Sequence, residues 1–314
     1  MKRVLFAVLF SFAGAALAQT FPTKTVRFVS GVTPGSASDT MARLLAERLA
    51  PALGQPVIVE NRLGAGGLVG ARYVAQEAEP DGHTIMMYAS AFTVSTLLNP
   101  GLDPKEMQPV ATVATIPTVL ITPPGKYKTI ADFVGAAKAQ PGKLVCSSAG
   151  SGSATHMALE RFRFSAGFEV LMVHTKGAGE ALTEVVSGRA DCYFALVFQA
   201  QKMADAGKVT ALAVSGPKRT SLLPNLPTVD EAGYPNSNYN FWVGTLVSAK
   251  TPRPIVERLH KEINALVQSD EISGRIRKLG ADPLVMSIGE FEGMIARELK
   301  ENAELIKKAG IKSN

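Results

Sequence analysis

Three stretches of this sequence combine glycines, hydroxyls and helix-starting residues in a way that suits an anion. The first is VTPGSASD, with Gly35 allowing a tight approach and Ser36, Ser38 and Asp39 able to cap a helix. The second is SSAGSGSATH, where Gly150 and Gly152 free the backbone while Ser151, Ser153 and Thr155 offer hydroxyls. The third is HTKGAGE, which follows from the strand-like run EVLMVHT. At strand-to-helix junctions, unpaired backbone N–H groups and the positive end of the helix dipole gather and attract negative charge. Ser, Thr, Asp and Gly are also what any helix start or tight turn wants, so no single junction defines a site. Their repetition at strand ends facing one cleft points to binding. Asp39 reads as a cap or brace for its own loop, His156 as a first-turn helix residue, and His83 as part of a DGHT turn.

Enzymatic patterns are missing. NRLGAGGLVGA is glycine-rich, but Gly64 and Gly66 are followed by Val69 where a dinucleotide fingerprint needs its third glycine. There is no Walker A sequence, Gly-x-Ser-x-Gly elbow or His-Glu-x-x-His helix. The histidines, at 83, 156, 174 and 260, are dispersed and give no metal-binding pattern. A hydrolase built from Ser and His on separate loops has no positive feature to support it. Basic residues outnumber acidic ones 33 to 27, without a stripe interleaved with aromatics, which argues against nucleic acid. The mild positive balance favours anions entering a cleft.

The elements that must position these junctions are legible from the amino terminus onward. Lys2 and Arg3 precede an apolar run ending in Ala16-Leu17-Ala18, the pattern of a secretory signal peptide over residues 1–18 with cleavage after Ala18. No later stretch reaches the roughly 20 apolar residues of a transmembrane helix. Gln19 and Thr20 stand where a lipid anchor would need cysteine, so a freely diffusing periplasmic protein is expected. Cys146 and Cys192 sit in the strand-like runs KLVCSS and ADCYFA and read as small buried core residues rather than a disulfide.

Short β-branched runs alternate with helical stretches, which implies parallel-type α/β sheets. VRFVSG, a helix over about 36–52, PVIVEN, a helix through Val69 to Ala78, and TIMMYAS start one lobe. A second series follows PTVLITP: a helix over 129–139, LVCSS, a helix from Ser153, EVLMVHT, a helix from Ala178, ADCYFA, a helix near 199–206, and TALAVSG. FWVGTLVSA and three helices over about 252–268, 270–279 and 287–309 are too poor in strands to form their own sheet and should return to the first lobe. The expected division is therefore a discontinuous lobe of 19–122 plus 241–314 and a continuous lobe of 123–240, with crossovers near 117–123 and 241–249.

In order along the chain, GQPVIVENRLGAGGLVGARYVAQEAEPDGHTIMM, SSAGSGSATHMALERF, KGAGEALTEVVSGRADCYF, LAVSGPKRTSLLPNLPTVDEAGYP and Trp242-Val243-Gly244 resemble the tripartite tricarboxylate transporter substrate-binding proteins, also called Bug proteins. The resemblance covers essentially the whole mature chain. It implies a two-lobed Venus-flytrap fold of the periplasmic type II kind, no cofactor, no enzymatic activity, and delivery to a membrane complex of one large and one small integral subunit. It also implies a small carboxylate held by backbone N–H groups, hydroxyls and bridging water rather than by an arginine clamp. A single copy is the expected state. A sensor for a membrane kinase, an ABC-type receptor and a periplasmic hydrolase are the alternatives.

The family loop Pro-Pro-Gly-Gly-x-x-Asp falls on residues 33–39, where Thr33 and Ser36 depart from it. Where the family has Pro-Tyr after the strand EVLMV, this chain has His174 and Thr175, which removes a bulky wall of the cleft. Ala195 or Leu196 stands where an acidic residue is often found, so a ligand without an amino group is expected, aromatic or dicarboxylic. Ligand contacts are expected from Thr33, Gly35, Ser36, Ala37, Ser38, Asp39, Ala65, Gly66 and Ser90 in the first lobe. Ser151, Gly152, Ser153, Thr155, Thr175 and Ala195 are expected to contribute from the second.

Overall fold

Alternation decides the first strand: in VRFVS, Val26 and Phe28 enter one core cluster and Val29 the opposite one. The computed structural model describes residues 21–239 and 241–312, so the signal-peptide reading lies outside the described residues. In chain order, the first segment contains β1 (Val26–Ser30), α1 (Ala37–Leu53), β2 (Val57–Asn61), the short α2 (Leu68–Arg72), β3 (Thr84–Ala89), α3 (Ala91–Leu98) and β4 (Met107–Thr115). The middle segment contains β5 (Thr118–Thr122), α4 (Ile130–Ala139), β6 (Val145–Ser148), α5 (Ala154–Ala166), β7 (Leu171–His174), α6 (Ala178–Val186), β8 (Tyr193–Leu196), α7 (Val197–Asp205) and β9 (Thr210–Val214). The last contains β10 (Trp242–Ser248), α8 (Arg253–Gln268), α9 (Asp270–Lys278), β11 (Asp282–Pro283) and α10 (Ile288–Ala309).

Two lobes result, each with a mixed sheet covered on both faces. The first-lobe sheet has the order β11-β4-β10-β3-β1-β2. Its βαβ strands β1, β2 and β3 run parallel, whereas β10 is antiparallel to both β3 and β4. In the second lobe β5 lies antiparallel between β8 and β9, and β6 pairs parallel with β7. A parallel bridge at Cys146 and Cys192 joins these two groups of strands. The strands that follow the crossings, β5 and β10, thus run antiparallel to their neighbours, as does β11 at the edge of the first sheet.

Three elements escaped the periodicity reading: β4, α3 and the two-residue β11. Strand β4 carries Pro109, which cannot donate to a ladder, and its pairing with β10 slips at Thr245/Leu246, opposite that proline. Helix α3 is only eight residues long and rich in β-branched residues, so its propensity is weak; it forms because it packs on α10. Gly244 on β10 is required by close packing, since a β-carbon there would come within 2.8 Å of the Phe291 ring and 3.0 Å of the Ala111 carbonyl oxygen.

The chain passes between lobes at Ile116–Pro117 and again before β10. The Ile116 N–H donates to the Phe241 carbonyl at 2.8 Å, which clamps the two crossings side by side. Helices α8 and α9 pack on the first lobe, against α1 and, respectively, β4 and β11. Helix α10 does more than return there. Phe291 near its start stacks edge-on against Trp242, while Leu305 near its end belongs to the second-lobe cluster with Met157 and Phe162.

The cysteines correct a sequence expectation. Cys146 of β6 and Cys192, the residue just before β8, form a disulfide with Cα atoms 4.6 Å apart. Both are fully buried. Their adjacency comes from parallel strand neighbours separated by 46 residues of chain, a relationship that local apolar context does not reveal. Replacing both by alanine, or reducing the bridge, should lower stability by about 4 kcal/mol in the loop-entropy picture, read as a fall in the urea midpoint. An unchanged midpoint would show that the bridge does not constrain the unfolded chain.

Candidate functional site

Between the lobes lies a cavity of about 690 Å³, within the size range of small-molecule sites. Its walls come from the starts of α1, α5, α6 and α7, the crossing residues Ile116 and Phe241, and the end of α9. Four helix amino ends around one space give it a bias toward negative charge.

The first-lobe wall is a loop held rigid from behind. Gly35 takes φ +82°, a left-handed conformation that favours glycine. Its N–H donates to Asp39 Oδ2 at 2.9 Å. Asp39 is fully buried and also accepts from Arg43 Nε at 2.9 Å, Arg43 Nη2 at 3.0 Å and Asn61 Nδ2 at 2.8 Å. Burial alone would raise its carboxyl pKa, but the Arg43, Gly35 and Asn61 hydrogen bonds outweigh that and hold it below the ordinary range. Asp39 therefore braces the loop and does not reach the cavity. Thr33, Gly35, Ser36 and Ala37 do line it. The Ser36 hydroxyl starts α1 without capping it and, although buried, meets no partner in the protein. Buried hydroxyls are seldom left in that state.

On the second lobe, Ser153 caps α5 by accepting from the His156 N–H at 3.3 Å, and the hydroxyls of Ser153 and Thr155 lie 3.1 Å apart. Thr155 also accepts from the Ala149 N–H at 2.9 Å. Both side chains line the cavity, as do Ala149 and Ala178.

The remaining expected residues are placed elsewhere. The hydroxyl of Ser38 is buried behind the loop. Ala65 and Gly66 form a tight turn whose Gly66 carbonyl accepts from Tyr88 at 2.6 Å. Ser90 sits fully buried beside the crossing, donating its N–H to Trp242 and accepting from the Tyr239 hydroxyl at 3.1 Å. Ser151 donates to the Lys312 carbonyl, and Gly152 packs on Val94 and Leu98 of α3. The Thr175 hydroxyl is within bonding reach of the Ser148 and Gly177 carbonyls, and His174 meets the Ser148 hydroxyl at 2.6 Å through Nδ1. Ala195 points into the second-lobe core, and alternation along β8 turns its neighbour Leu196 to the cavity. Phe198, Gln199, Phe241 and Lys278 also face the cavity. Phe198 and Gln199 start a helix after a strand, the same signal that singled out Ser36 and Ser153; Lys278 arrives from a distant segment with no local signal.

Behind the crossings lies a polar network shared by both lobes. Trp242 Nε1 donates to the Glu298 carboxylate at 2.9 Å, and Asn302 donates to Thr93 at 2.8 Å. From α5, Arg161 reaches Glu301 at 3.0 Å and Asn302 at 3.2 Å. Burial pushes the Glu298 pKa up to about 7, against the lowering influence of Trp242 and Arg161. The folded protein therefore holds a proton that the unfolded chain releases between about pH 4.5 and 7, and this group's contribution to stability falls as pH rises through that interval. Trp242 is the one tryptophan of the chain, so its emission should titrate with a midpoint near pH 7. Glu298→Gln should abolish that transition and flatten the stability profile; a transition that persists would assign it to another group.

The profile of the tripartite tricarboxylate transporter family receptors (TctC) matches residues 41–311. A protein from the tcbD-tcbE intergenic region of Pseudomonas sp. (strain P51) is 34% identical over 85% of this chain and 84% of its own. The structure described as R. palustris Rpa4515 with adipate superimposes with a TM-score of 0.81 at 29% identity, covering 93% of this chain and 99% of that one. MatC from Rhodopseudomonas palustris, with bound malate, gives a TM-score of 0.77 at 28% identity over 91% and 100% of the two chains. The chain belongs to the TctC family of tripartite tricarboxylate transporter receptors. It is a solute-binding receptor with the two-lobed type II fold and not an enzyme.

Proposed function

We propose that this receptor captures a small organic carboxylate between its lobes, closes on it by bending at the paired crossings, and delivers it in the periplasm to a tripartite tricarboxylate-type membrane transporter. The observation that carries the reading is the partnerless Ser36 hydroxyl at the start of α1, across the same cavity from the Ser153 and Thr155 hydroxyls at the start of α5. A carboxylate placed there completes Ser36 and meets two positive helix ends at once. No acidic side chain is among the described lining residues. The relatives solved with adipate and malate support the same ligand chemistry.

Residues 19–122 with 241–314 form one moving body in this proposal and 123–240 the other, after the leader 1–18 is removed. The pairing of Ile116 with Phe241 confines the bending to one line. A ligand touching both lobes only when they approach would shift the population toward the closed form. The protein would act as a single copy, without a cofactor.

Calorimetry with mono-, di- and tricarboxylates, a neutral sugar and a divalent cation tests the ligand class. Binding of the sugar or cation in place of every carboxylate overturns it. Ser36→Ala should leave the melting temperature unchanged, since its hydroxyl bonds nothing in the protein. It should weaken carboxylate binding by about tenfold, as loss of a hydrogen bond to a charged group does. Undiminished affinity would remove Ser36 from the site.

A further inference from the structure

The cavity has two chemically distinct parts. Hydroxyls and helix starts form one, and Met41, Ile116, Leu196, Phe198, Phe241 and Leu279 form the other. Phe198 stands out within the apolar part. Its Cβ is closely approached by Gly280 of the first lobe, where an added β-carbon would sit 3.1 Å away, yet the residue remains 42% exposed. Leu279 beside it is 40% exposed. The root of the ring is held while its surface stays uncovered, which leaves apolar area for a ligand to bury.

Charge is distributed just as unevenly. Lys278 is the one charged side chain among the described lining residues, and it is exposed. An exposed ammonium offers little to a second anionic group, because water already solvates it. A second carboxylate pressed on the apolar side chains would lose hydration and find only the start of α7 and the Gln199 amide in return. An ammonium on the ligand would fare no better, since no carboxylate is among the described lining residues.

We infer that the cavity selects a carboxylate bearing one flat apolar body, an aromatic monocarboxylate, with Phe198 as the side chain that reads the ring. The inference rests on the carboxylate reading above and deepens it. The acid group lies at Ser36, Ser153 and Thr155, and the ring takes the wall of Phe198, Leu196 and Phe241, where aromatic faces and edges pack favourably. Phe198 is a specificity residue in this arrangement, separate from the groups that hold the carboxylate.

Titration of the purified mature chain with benzoate, benzamide, adipate and malate separates the two claims. Benzoate is expected to bind at least about tenfold more tightly than adipate or malate, and than benzamide, each decade being about 1.4 kcal/mol. Phe198→Ala should weaken benzoate by about tenfold and adipate by less, so that the preference for benzoate over adipate shrinks. Adipate or malate binding as tightly as benzoate, or a Phe198→Ala variant with unchanged benzoate affinity, overturns the aromatic selection and leaves the carboxylate reading standing. Benzamide equal to benzoate overturns the carboxylate reading while the apolar wall stands. If none of the four binds, both fall.

Discussion

The hydrogen bond from Ile116 to Phe241 marks the constraint on which the rest of the molecule depends: the chain crosses between lobes twice at one place. Two adjacent crossings fix which edge of each sheet faces the other lobe. They also direct the carboxyl ends of the parallel strands, and hence the starts of α1, α5, α6 and α7, toward one space. In open α/β sheets that is where ligands bind. The cavity is thus a product of connectivity before it is a product of any side chain.

Within that space, most polar groups near the site are engaged in holding the loops. Asp39 accepts four hydrogen bonds from the backbone and side chains around it, Thr155 holds Ala149, and Thr175 ties Ser148 to Gly177. A loop braced in this way loses little entropy when a ligand arrives. Ser36 differs because its helix starts without using its hydroxyl. The division of labour between bracing and waiting groups explains how a site can be polar at its edge with no buried charge among its described lining residues.

Helix α10 ties the lobes together behind the crossings. Its first half packs on Trp242 through Phe291, and its last turns reach Leu305, which joins the second-lobe core. Arg161 of α5 contacts Glu301 and Asn302 on the same helix. The polar network around Glu298 and Trp242 therefore sits where this helix meets both lobes.

Periodicity, glycines and caps along the chain were enough to determine the α/β class, most helices, and the junctions around Ser36 and Ser153. These are local properties: alternation follows from the strand pleat, and capping from groups a few residues apart. The family motifs were likewise legible as strings. Tertiary structure alone decided the rest, because it depends on residues far apart in sequence becoming neighbours. Cys146 meets Cys192 only through the single parallel bridge between β6 and the residue just before β8, and β4 keeps its proline because β10 slips opposite it. Lys278 and Phe241 join the cavity from the last segment of the chain. A single step along β8 sends Ala195 into the core and Leu196 to the cavity. Sequence could name the junctions able to hold an anion; only packing could show which hydroxyls were already bonded, which were free, and what apolar wall stood beside them.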